Sequence, residues 1–532
     1  MAEPTRKRPR VSPSPASSSA APPPAPSRPA APPNAPCASH TVHPPAHYLA
    51  AATAPPAFQQ PIHLASFSYS PTRELLLDDE RKDDALAYYH EPRLGSDLNF
   101  AFDRAAWRDA SIDEGLDALL DSLSTWAAKQ PTPAADDLLG KISVITWRGM
   151  MTKLMLAVYE VDNAASGRRG DGWEMNAMVV DGCLYLEESN PPSKLAAKAA
   201  SESSNALPSY YGYSFESYCT ASSPSPADFP IPNTNIQWCS VVKTNLGGFR
   251  TIVGGEVDCV RAGADPRRIT TGDFVELKTN IAIQSHRDEV NFERQKLLKH
   301  YVQSFLLGVP TVTVGFRTRQ GHLTGLQSFS TLDIPRLVRG KPYAWTPGAC
   351  LASARDLVAF LHQTLATHPS TTRAEAALRT ATATACFDWP VFRVAFAPAA
   401  GGGVSIRELT RAEVAAEVWG AKRRTDDGGA EGEGAGAVAG AGRVGFLLER
   451  WVRGVRDRRT RLDAASAAGA PPVQPVAPPP AARRPAPPPP PPPPPAPVPA
   501  SPPATLVDGN GPVSPGRGGS VPVGGVAAGL KR

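Results

Sequence analysis

The stretch "GGEVDCV", residues 254 to 260, combines β-prone residues with two acidic ones. Successive side chains of a strand point to opposite faces, so residues two apart share a face. Glu256 and Asp258 therefore project together, while Val257 points the other way. The pattern predicts a strand with an apolar face and an acidic face.

A second stretch, "DFVELKTN", residues 273 to 280, repeats the pattern with Glu276 and Lys278 on one face and Leu277 on the other. If the two strands are neighbours, they bring three carboxylates and a lysine together. Carboxylates in one pocket raise each other's pKa unless a cation joins them, and a hard divalent ion such as Mg²⁺ suits oxygen ligands. Such an ion can polarise a phosphoryl oxygen and activate the attacking water, and a second ion about 4 Å away can stabilise the leaving oxygen.

A plainer interpretation remains open on spacing alone. The two charged strand faces can be solvent-facing surfaces whose charges are solvated or cross-paired, and short charged patterns arise by chance. Two further residues bear on the choice. Arg148, in "TWRGMMTK", can contact a phosphate or form an internal salt bridge. Glu216, in "YYGYSFESYC", is either buried with a partner or a metal, or exposed in a turn.

Composition divides the chain into a folded part and two tails. The 59 prolines crowd toward the ends. Residues 1–61, rich in Pro, Ala and Ser, and residues 464–532, rich in Pro, are predicted to be disordered, because they cannot bury enough apolar area to offset the entropy of ordering. The folded domain is predicted to span residues 62–460. A Gly/Ala-rich stretch, residues 426–442, is predicted to be a surface insertion.

Charge and cysteine usage indicate the compartment. The net charge of +5 is mild, but "RKRPR", residues 6 to 10, suits a nuclear import signal, unless it is merely a solubilising basic end. The seven cysteines show no CxxC spacing, which argues against a zinc site and a disulfide framework. No apolar run reaches the roughly 18 residues of a membrane span. We expect a soluble nuclear protein.

Hydrophobic periodicity predicts a mixed α+β domain that is strand-rich in the middle. Helices are expected over residues 112–130 and 286–309, and a hairpin with its turn at Asp181-Gly182 is expected over residues 173–188. The stretch "SNPPSKLAAKAASESSNALPS", residues 189–209, is predicted to be a loop.

Several motifs taken in order closely resemble the decapping exoribonuclease family, DXO and its nuclear fungal-type relatives. They are "WRGMMTK", "GYSFE", "GGEVDC", "FVELKT" and "KHYVQSFLLGVPTVTVGFR". With "ASFSYSPTREL", "LGSDLNFAF" and "GFLLERWV", the resemblance spans roughly residues 64 to 455. It implies an α+β fold of two twisted mixed β-sheets flanked by helices, with a nuclease-like E-x-D/E-x-K core.

The resemblance also implies roles for individual residues. Two ions, Mg²⁺ or Mn²⁺, are expected on Glu216, Glu256, Asp258, Glu276 and the backbone carbonyl of Leu277, with Glu256 serving the second ion. Lys278 and Gln303 match residues that approach the scissile phosphate or the attacking water. Arg148 matches an arginine that contacts RNA or cap phosphates, and Cys239 in "WCSVV" matches a residue that lines the pocket.

The function implied is hydrolysis at RNA 5′ ends: removal of pyrophosphate from triphosphorylated ends, of incompletely methylated guanosine caps and of NAD caps. The nuclear branch of the family also supports a nuclear 5′→3′ exoribonuclease. One alternative is a mainly non-catalytic subunit that stabilises that exonuclease. A DNA nuclease with the same metal chemistry is a weaker alternative, because the sequence shows no evident basic stripe of the kind that duplex binders present.

Overall fold

The computed structural model describes residues 36–50, 54–204, 206–220, 231–380, 388–422 and 442–468. Its strands are, in chain order, β1 (Ala38–Thr41), β2 (Ile62–Tyr69), β3 (Leu75–Leu76), β4 (Val144–Trp147), β5 (Trp173–Val180), β6 (Cys183–Glu188), β7 (Gln237–Leu246), β8 (Phe249–Glu256), β9 (Cys259–Val260), β10 (Phe274–Ile281), β11 (Thr311–Arg317), β12 (Leu323–Ser330), β13 (Phe392–Ala397), β14 (Gly403–Glu408), β15 (Arg443–Val444) and β16 (Leu447–Leu448).

The α-helices of the same residues are α1 (Pro45–Ala50), α2 (Asp117–Ala128), α3 (Thr132–Leu139), α4 (Arg148–Ala165), α5 (Pro192–Ser204), α6 (Ala206–Thr220), α7 (His286–Asn291), α8 (Leu298–Leu307), α9 (Ile334–Leu337), α10 (Pro347–Ala366), α11 (Pro369–Thr380), α12 (Arg411–Glu413) and α13 (Glu449–Ala467). π-Helical turns cover Phe292–Leu297 and Val414–Val418, and short 3₁₀ turns cover Phe102–Arg104, Thr271–Asp273, Thr331–Asp333 and Pro398–Ala400.

Two mixed sheets and the helices around them make up the domain. The larger has ten strands in the order β1-β14-β13-β5-β6-β4-β8-β7-β2-β3, with β4 parallel to both of its neighbours. The smaller has four strands in the order β12-β11-β10-β9, with β10 and β11 parallel. Strands β15 and β16 form a separate two-stranded ribbon. The predicted α+β fold with two mixed sheets is confirmed.

Local patterns account for several elements. The predicted hairpin is β5 and β6, joined at Asp181 and Gly182, whose φ angles of 50° and 72° are the left-handed conformation that a tight hairpin turn needs. The predicted helix at residues 112–130 is α2. The helix expected at residues 286–309 is α7, a π-helical turn and α8, and it ends at Gly308 with φ 74°.

Helix α4 connects the core to the site. It follows directly on β4, so that Trp147 ends the strand and Arg148 begins the helix. Its apolar face, which includes Leu154 and Val158, is fully buried, and α4 packs against α8 and α10. Because strand and helix are both anchored in the core, Arg148 is held at a rigid junction.

Two predicted domain boundaries and one predicted loop are wrong. Within the tail predicted at residues 1–61, β1 pairs antiparallel with β14, with His40 opposite Val404, and α1 follows it. The loop predicted at residues 189–209 contains α5 and the start of α6. The domain predicted to end at residue 460 continues in α13 to Ala467. The rest of both tails, with the basic cluster at residues 6–10, and nearly all of the Gly/Ala-rich insertion lie outside the described residues.

Among the described residues, none of the helices combines the length and the apolar character that crossing a membrane requires.

Candidate active site

The two motifs of the site lie where the chain passes from one sheet to the other. Strand β8 of the large sheet ends at Glu256, and β9 of the small sheet begins at Cys259. Strand β9 pairs antiparallel with β10, which carries Glu276. The sequence pattern suggested that Glu256 and Asp258 lie on the same strand. In the structure, Glu256 ends β8, and Asp258 lies in the segment that connects β8 to β9.

Backbone pairing brings the two motifs into contact across this crossing. The Leu277 N–H donates to Asp258 Oδ2 over 2.6 Å, and Lys278 Nζ lies 3.4 Å from the same oxygen. The apolar alternation is as expected, because Val257 and Leu277 are both buried. Asp258 thereby becomes a fixed neighbour of the second motif.

Two cations hold Glu276, which is almost fully buried. Lys278 Nζ lies 2.6 Å from Glu276 Oε1, and Arg148 Nη1 donates to Glu276 Oε2 over 2.9 Å. Burial alone would raise the pKa of Glu276, but Arg148 and Lys278 lower it to about 2. The internal salt bridge considered for Arg148 exists, and its partner is one of the predicted metal ligands.

Lys278 stays charged in this environment. Burial alone would lower the pKa of Lys278, but Asp258 and Glu276 raise it above its usual value. Its ammonium also donates to the backbone carbonyl of Leu277 over 2.8 Å. The group is therefore a permanent cation fixed between two carboxylates.

Glu216 approaches the same carboxylates from a helix. It lies on α6, not in a turn, and α6 packs against β10. Phe215 beside it is fully buried against Gly315 of β11, where only a residue without a Cβ leaves room for the ring. Burial, then the charges of Asp258 and Glu256, raises the pKa of Glu216 well above its usual value.

The pKa values of two other carboxylates are raised as well. Burial is the main cause for Glu256, followed by the charge of Asp258. For Asp258, burial and Glu276 outweigh Lys278 and the bond from the Leu277 N–H. The local charges thus leave an excess of negative charge, as in a site that binds a cation.

A hydrogen-bonded chain that sequence reasoning missed supports Glu256. Gln237 Nε2 donates to Glu256 Oε2 over 3.0 Å, and Arg73 Nη1 donates to Gln237 Oε1 over 2.7 Å. Arg73 is buried and lies 3.5 Å above the Tyr69 ring, and its other nitrogens donate to both carboxylate oxygens of Glu114 over 2.9 and 2.7 Å.

The backbone of Arg73 is unusual, because its φ of 66° is left-handed and rarely adopted by residues with a side chain. Such strain persists where the surroundings over-determine it, and here the bidentate pair with Glu114 does so. The sequence signal was the short "SPTREL" stretch, which belonged to the resemblance but in which Arg73 was not singled out.

The other two predicted site residues are Cys239 and Gln303. Cys239 is buried in β7, directly opposite Glu256 of β8, and burial followed by Glu256 raises the pKa of its thiol. Gln303 is half-buried on α8, one turn beyond His300. Within the described ranges, no hydrogen bond joins Gln303 to the carboxylates.

A cavity of about 610 Å³ opens onto three of the carboxylates. Glu216, Glu256 and Asp258 line it, with Gln237 among its polar walls. A larger cavity, of about 870 Å³, lies at the far end of α4 and contains none of these carboxylates. The candidate site therefore lies at the cavity of about 610 Å³.

The donor set fits a hard divalent ion in chemistry. All its groups are oxygens, namely the carboxylates of Glu216, Glu256, Asp258 and Glu276 and the carbonyl of Leu277. In the part of the chain that the structure describes, no three His, Cys, Asp or Glu side chains already converge as a metal-binding group. Instead, Lys278 and Arg148 occupy the oxygens of Glu276. For Glu276 to bind an ion, Lys278 and Arg148 must move away from its carboxylate oxygens.

Comparisons with known proteins show which family the chain resembles. The family model described as "RAI1 like PD-(D/E)XK nuclease" matches residues 59–419. The decapping nuclease RAI1 of Mycosarcoma maydis is 36% identical over 471 residues, covering 74% of this chain and 87% of its own. The decapping and exoribonuclease protein of Mus musculus is 33% identical over 321 residues, covering 58% of this chain and 76% of its own.

A solved structure shares the fold. It is Scheffersomyces stipitis Rai1 in complex with (3′-NADP)⁺ and calcium ion, with a TM-score of 0.55 and 23% identity, covering 72% of this chain and 95% of its own. The family model matches more than half of the chain, and the relative from Mycosarcoma maydis is similar over most of its length. The chain therefore belongs to the RAI1-like PD-(D/E)XK nuclease family.

Proposed function

We propose that this chain is a divalent-metal-dependent hydrolase that acts on the 5′ ends of RNA. The observation that carries the proposal is that Glu216, Glu256 and Asp258 line one cavity. Lys278, which lies 3.4 Å from Asp258 Oδ2, and Arg148 hold the neighbouring Glu276 carboxylate. Buried acids next to fixed cations suit phosphoryl chemistry, in which negative charge is spread over several oxygens.

Each residue has a proposed task. Glu216, Asp258, Glu276 and the Leu277 carbonyl would hold Mg²⁺ or Mn²⁺, and Glu256 would serve a second ion. The metal, when bound, lowers the pKa of water and polarises a phosphoryl oxygen. Lys278, a fixed cation, donates to the phosphate or orients the water, and Arg148 contacts a phosphate with its guanidinium. Gln303 is proposed to approach the scissile phosphate or the attacking water as well.

Three kinds of 5′ end are proposed as substrates. Triphosphorylated ends, incompletely methylated guanosine caps and NAD caps all present phosphoanhydride oxygens near the first nucleotide. In the proposed reaction, water attacks phosphorus, a phosphorus–oxygen bond breaks and the leaving oxygen takes a proton. The names of the relatives, which include decapping and exoribonuclease activities, support this substrate class. The relative solved with (3′-NADP)⁺ supports the NAD cap.

The cellular setting is part of the same proposal. The basic cluster "RKRPR" supports a nuclear location. The resemblance to the nuclear branch supports a 5′→3′ exoribonuclease as partner. We propose that this chain removes aberrant 5′ ends in the nucleus and that the exonuclease then degrades the RNA.

The test is an end-labelled RNA assay with the full chain and Mg²⁺ or Mn²⁺. Triphosphate, unmethylated-cap and NAD-capped 5′ ends are offered in parallel, beside the Asp258→Asn variant. Product from any end by the wild type, absent with Asp258→Asn, is expected. No product from all three ends would overturn the hydrolase in favour of a stabilising subunit of the exonuclease.

A further inference from the structure

Large apolar side chains stay exposed around the mouth of the carboxylate cavity. Trp107 is 46% exposed and Tyr213 is 39% exposed, and Ile231 and Ile236 beside them are exposed to a similar degree. All four line the cavity. Single exposed apolar residues are ordinary, but a group of them around one cavity marks a binding surface.

Trp107 is held in place by its backbone neighbours. Ala106 N–H donates to the Pro232 carbonyl over 3.0 Å, and Thr234 N–H donates to the Ala106 carbonyl over 2.9 Å. Arg108 N–H donates to Thr234 Oγ1 over 2.6 Å. The indole therefore projects from a braced segment, so that little entropy is lost when a ligand packs on it.

The two aromatic rings form one platform. Their centroids are 5.9 Å apart and their planes cross at 82°, an edge-to-face arrangement. Two partly exposed rings that stand nearly perpendicular to each other offer a flat apolar ligand a stacking surface and a side wall.

The platform lies close to the carboxylates. Tyr213 and Glu216 are three residues apart on α6, so they share a helix face within about one 5.4 Å turn. Arg108 and Lys198 line the same cavity and add positive charge to its wall. A ligand that places a phosphate at the carboxylates therefore reaches Trp107 and Tyr213 with its neighbouring group.

We propose that Trp107 and Tyr213 stack one unpaired base of the RNA substrate, the base of a nucleotide that flanks the scissile phosphate. The inference deepens the proposed function and rests on it for the placement of the phosphate. Stacking on aromatic rings is how single-stranded RNA is gripped without reading its sequence, because every base has a π-face. The platform therefore serves ends of any sequence, provided that they are single-stranded.

The test compares base-dependent binding in matched variants. Equilibrium binding of a labelled single-stranded 10-mer with a 5′-triphosphate is measured in Ca²⁺ by anisotropy, with an intact oligomer and with oligomers that are abasic at the first or second nucleotide. Trp107→Ala is expected to bind the intact oligomer about tenfold more weakly. Trp107→Phe, which keeps a ring, is expected to retain most of the affinity. Leu332→Ala, a change at an exposed apolar residue that does not line the cavity, is expected to have no effect.

The decisive comparison is a double-mutant cycle. Wild type should lose about tenfold in affinity for one of the two abasic oligomers, and Trp107→Ala should lose nothing further with that oligomer. Equal losses in wild type and Trp107→Ala would overturn the stacking proposal.

Because the readout is binding, the two proposals fail separately. An inactive wild type with Trp107-dependent binding would overturn the hydrolase alone. An active wild type that is indifferent to Trp107→Ala would overturn the platform alone.

Discussion

The backbone N–H of Leu277 donates to Asp258 Oδ2 over 2.6 Å and so fastens the crossing between the two sheets to β10. The same carboxylate lines the cavity of the candidate site. Asp258 thus has a role in the fold and a role in the candidate site, and different substitutions at this position can separate the two.

Asp258→Asn is expected to abolish hydrolysis while preserving the fold. The amide oxygen still accepts from the Leu277 N–H, so the free energy of unfolding should change by about 1 kcal/mol or less. Loss of the charge should lower turnover about 100-fold or more. Asp258→Ala should in addition be destabilised by about 1–3 kcal/mol, because it leaves the buried N–H without an acceptor. Urea unfolding measures the stability of each variant, and product release from triphosphorylated RNA measures its turnover. An active Asp258→Asn enzyme contradicts the assignment of Asp258 to the active site.

Gln237 is expected to act as a positioning residue for Glu256. Gln237→Glu keeps an acceptor for Arg73 but replaces the donor to Glu256 with a like charge. We expect kcat to fall about tenfold, within the range seen when the partner of a ligand is removed, with KM changed less than twofold. Gln237→Leu removes both bonds and should show the same loss of kcat together with lower stability. A change confined to KM would instead assign Gln237 to substrate binding.

A divalent ion is expected to stabilise the folded protein independently of turnover. Binding to the folded state alone raises the melting temperature as ion concentration rises. Melting curves in increasing Mg²⁺ or Mn²⁺ should shift upward for wild type and much less for Glu216→Gln. Without metal, Glu216→Gln should melt no lower than wild type, because it removes a buried carboxylate whose pKa is raised by burial and by Asp258 and Glu256. Equal shifts in both proteins would argue that the ion binds elsewhere.

Gly315→Ala is expected to disturb the site through Phe215. A Cβ at Gly315 would lie 2.7 Å from Phe215 Cζ, so the ring and the neighbouring Glu216 must move. Overpacking of this kind costs about 1–3 kcal/mol. Gly325→Ala on the adjacent strand meets no atom within 4 Å and is the control. Thermal melting and turnover should both fall for Gly315→Ala only; matching results for the two variants would contradict this packing account.

Acid is expected to destabilise the fold through His300. This histidine is buried, and neither ring nitrogen has a hydrogen-bond partner among the described residues. Burial, then the charge of Lys278, lowers the pKa of His300 to about 3. The folded value is depressed, so its contribution to stability is present above the unfolded pKa of about 6.5 and is lost as pH falls toward the folded value.

Between pH 7 and pH 5, this one group should cost about 2 kcal/mol of stability. His300→Leu does not titrate and should lose correspondingly less over the same interval. Urea unfolding at the two pH values compares them, and an identical pH dependence would show that His300 titrates normally in the folded state.

Predictions from the sequence were wrong where local signals conflict or are absent. The Pro-Pro and Ser/Asn composition at residues 189–209 predicts a loop, yet α5 begins at Pro192, where a proline suits the first turn of a helix, and its Ala and Lys residues favour the helix that follows. Strand β1 carries no periodic signal of its own. It forms because the edge of β14, more than 300 residues away, offers unpaired backbone groups.

What the sequence determined by itself is what depends on neighbours along the chain. Alternation by twos separated Glu256 and Asp258 from Val257, helical spacing predicted α2 and α8, and Asp181-Gly182 marked a turn. These patterns are local because side-chain direction follows from backbone geometry alone.

Only the tertiary structure decided which of these residues meet. It put Glu256 and Glu276 on different sheets, gave Arg148 its partner, and placed Arg73 behind Gln237. Such contacts join residues far apart in the chain, and packing of the two sheets and their helices selects them. No local periodicity encodes that choice, because the free energy that makes it comes from burying the whole core at once.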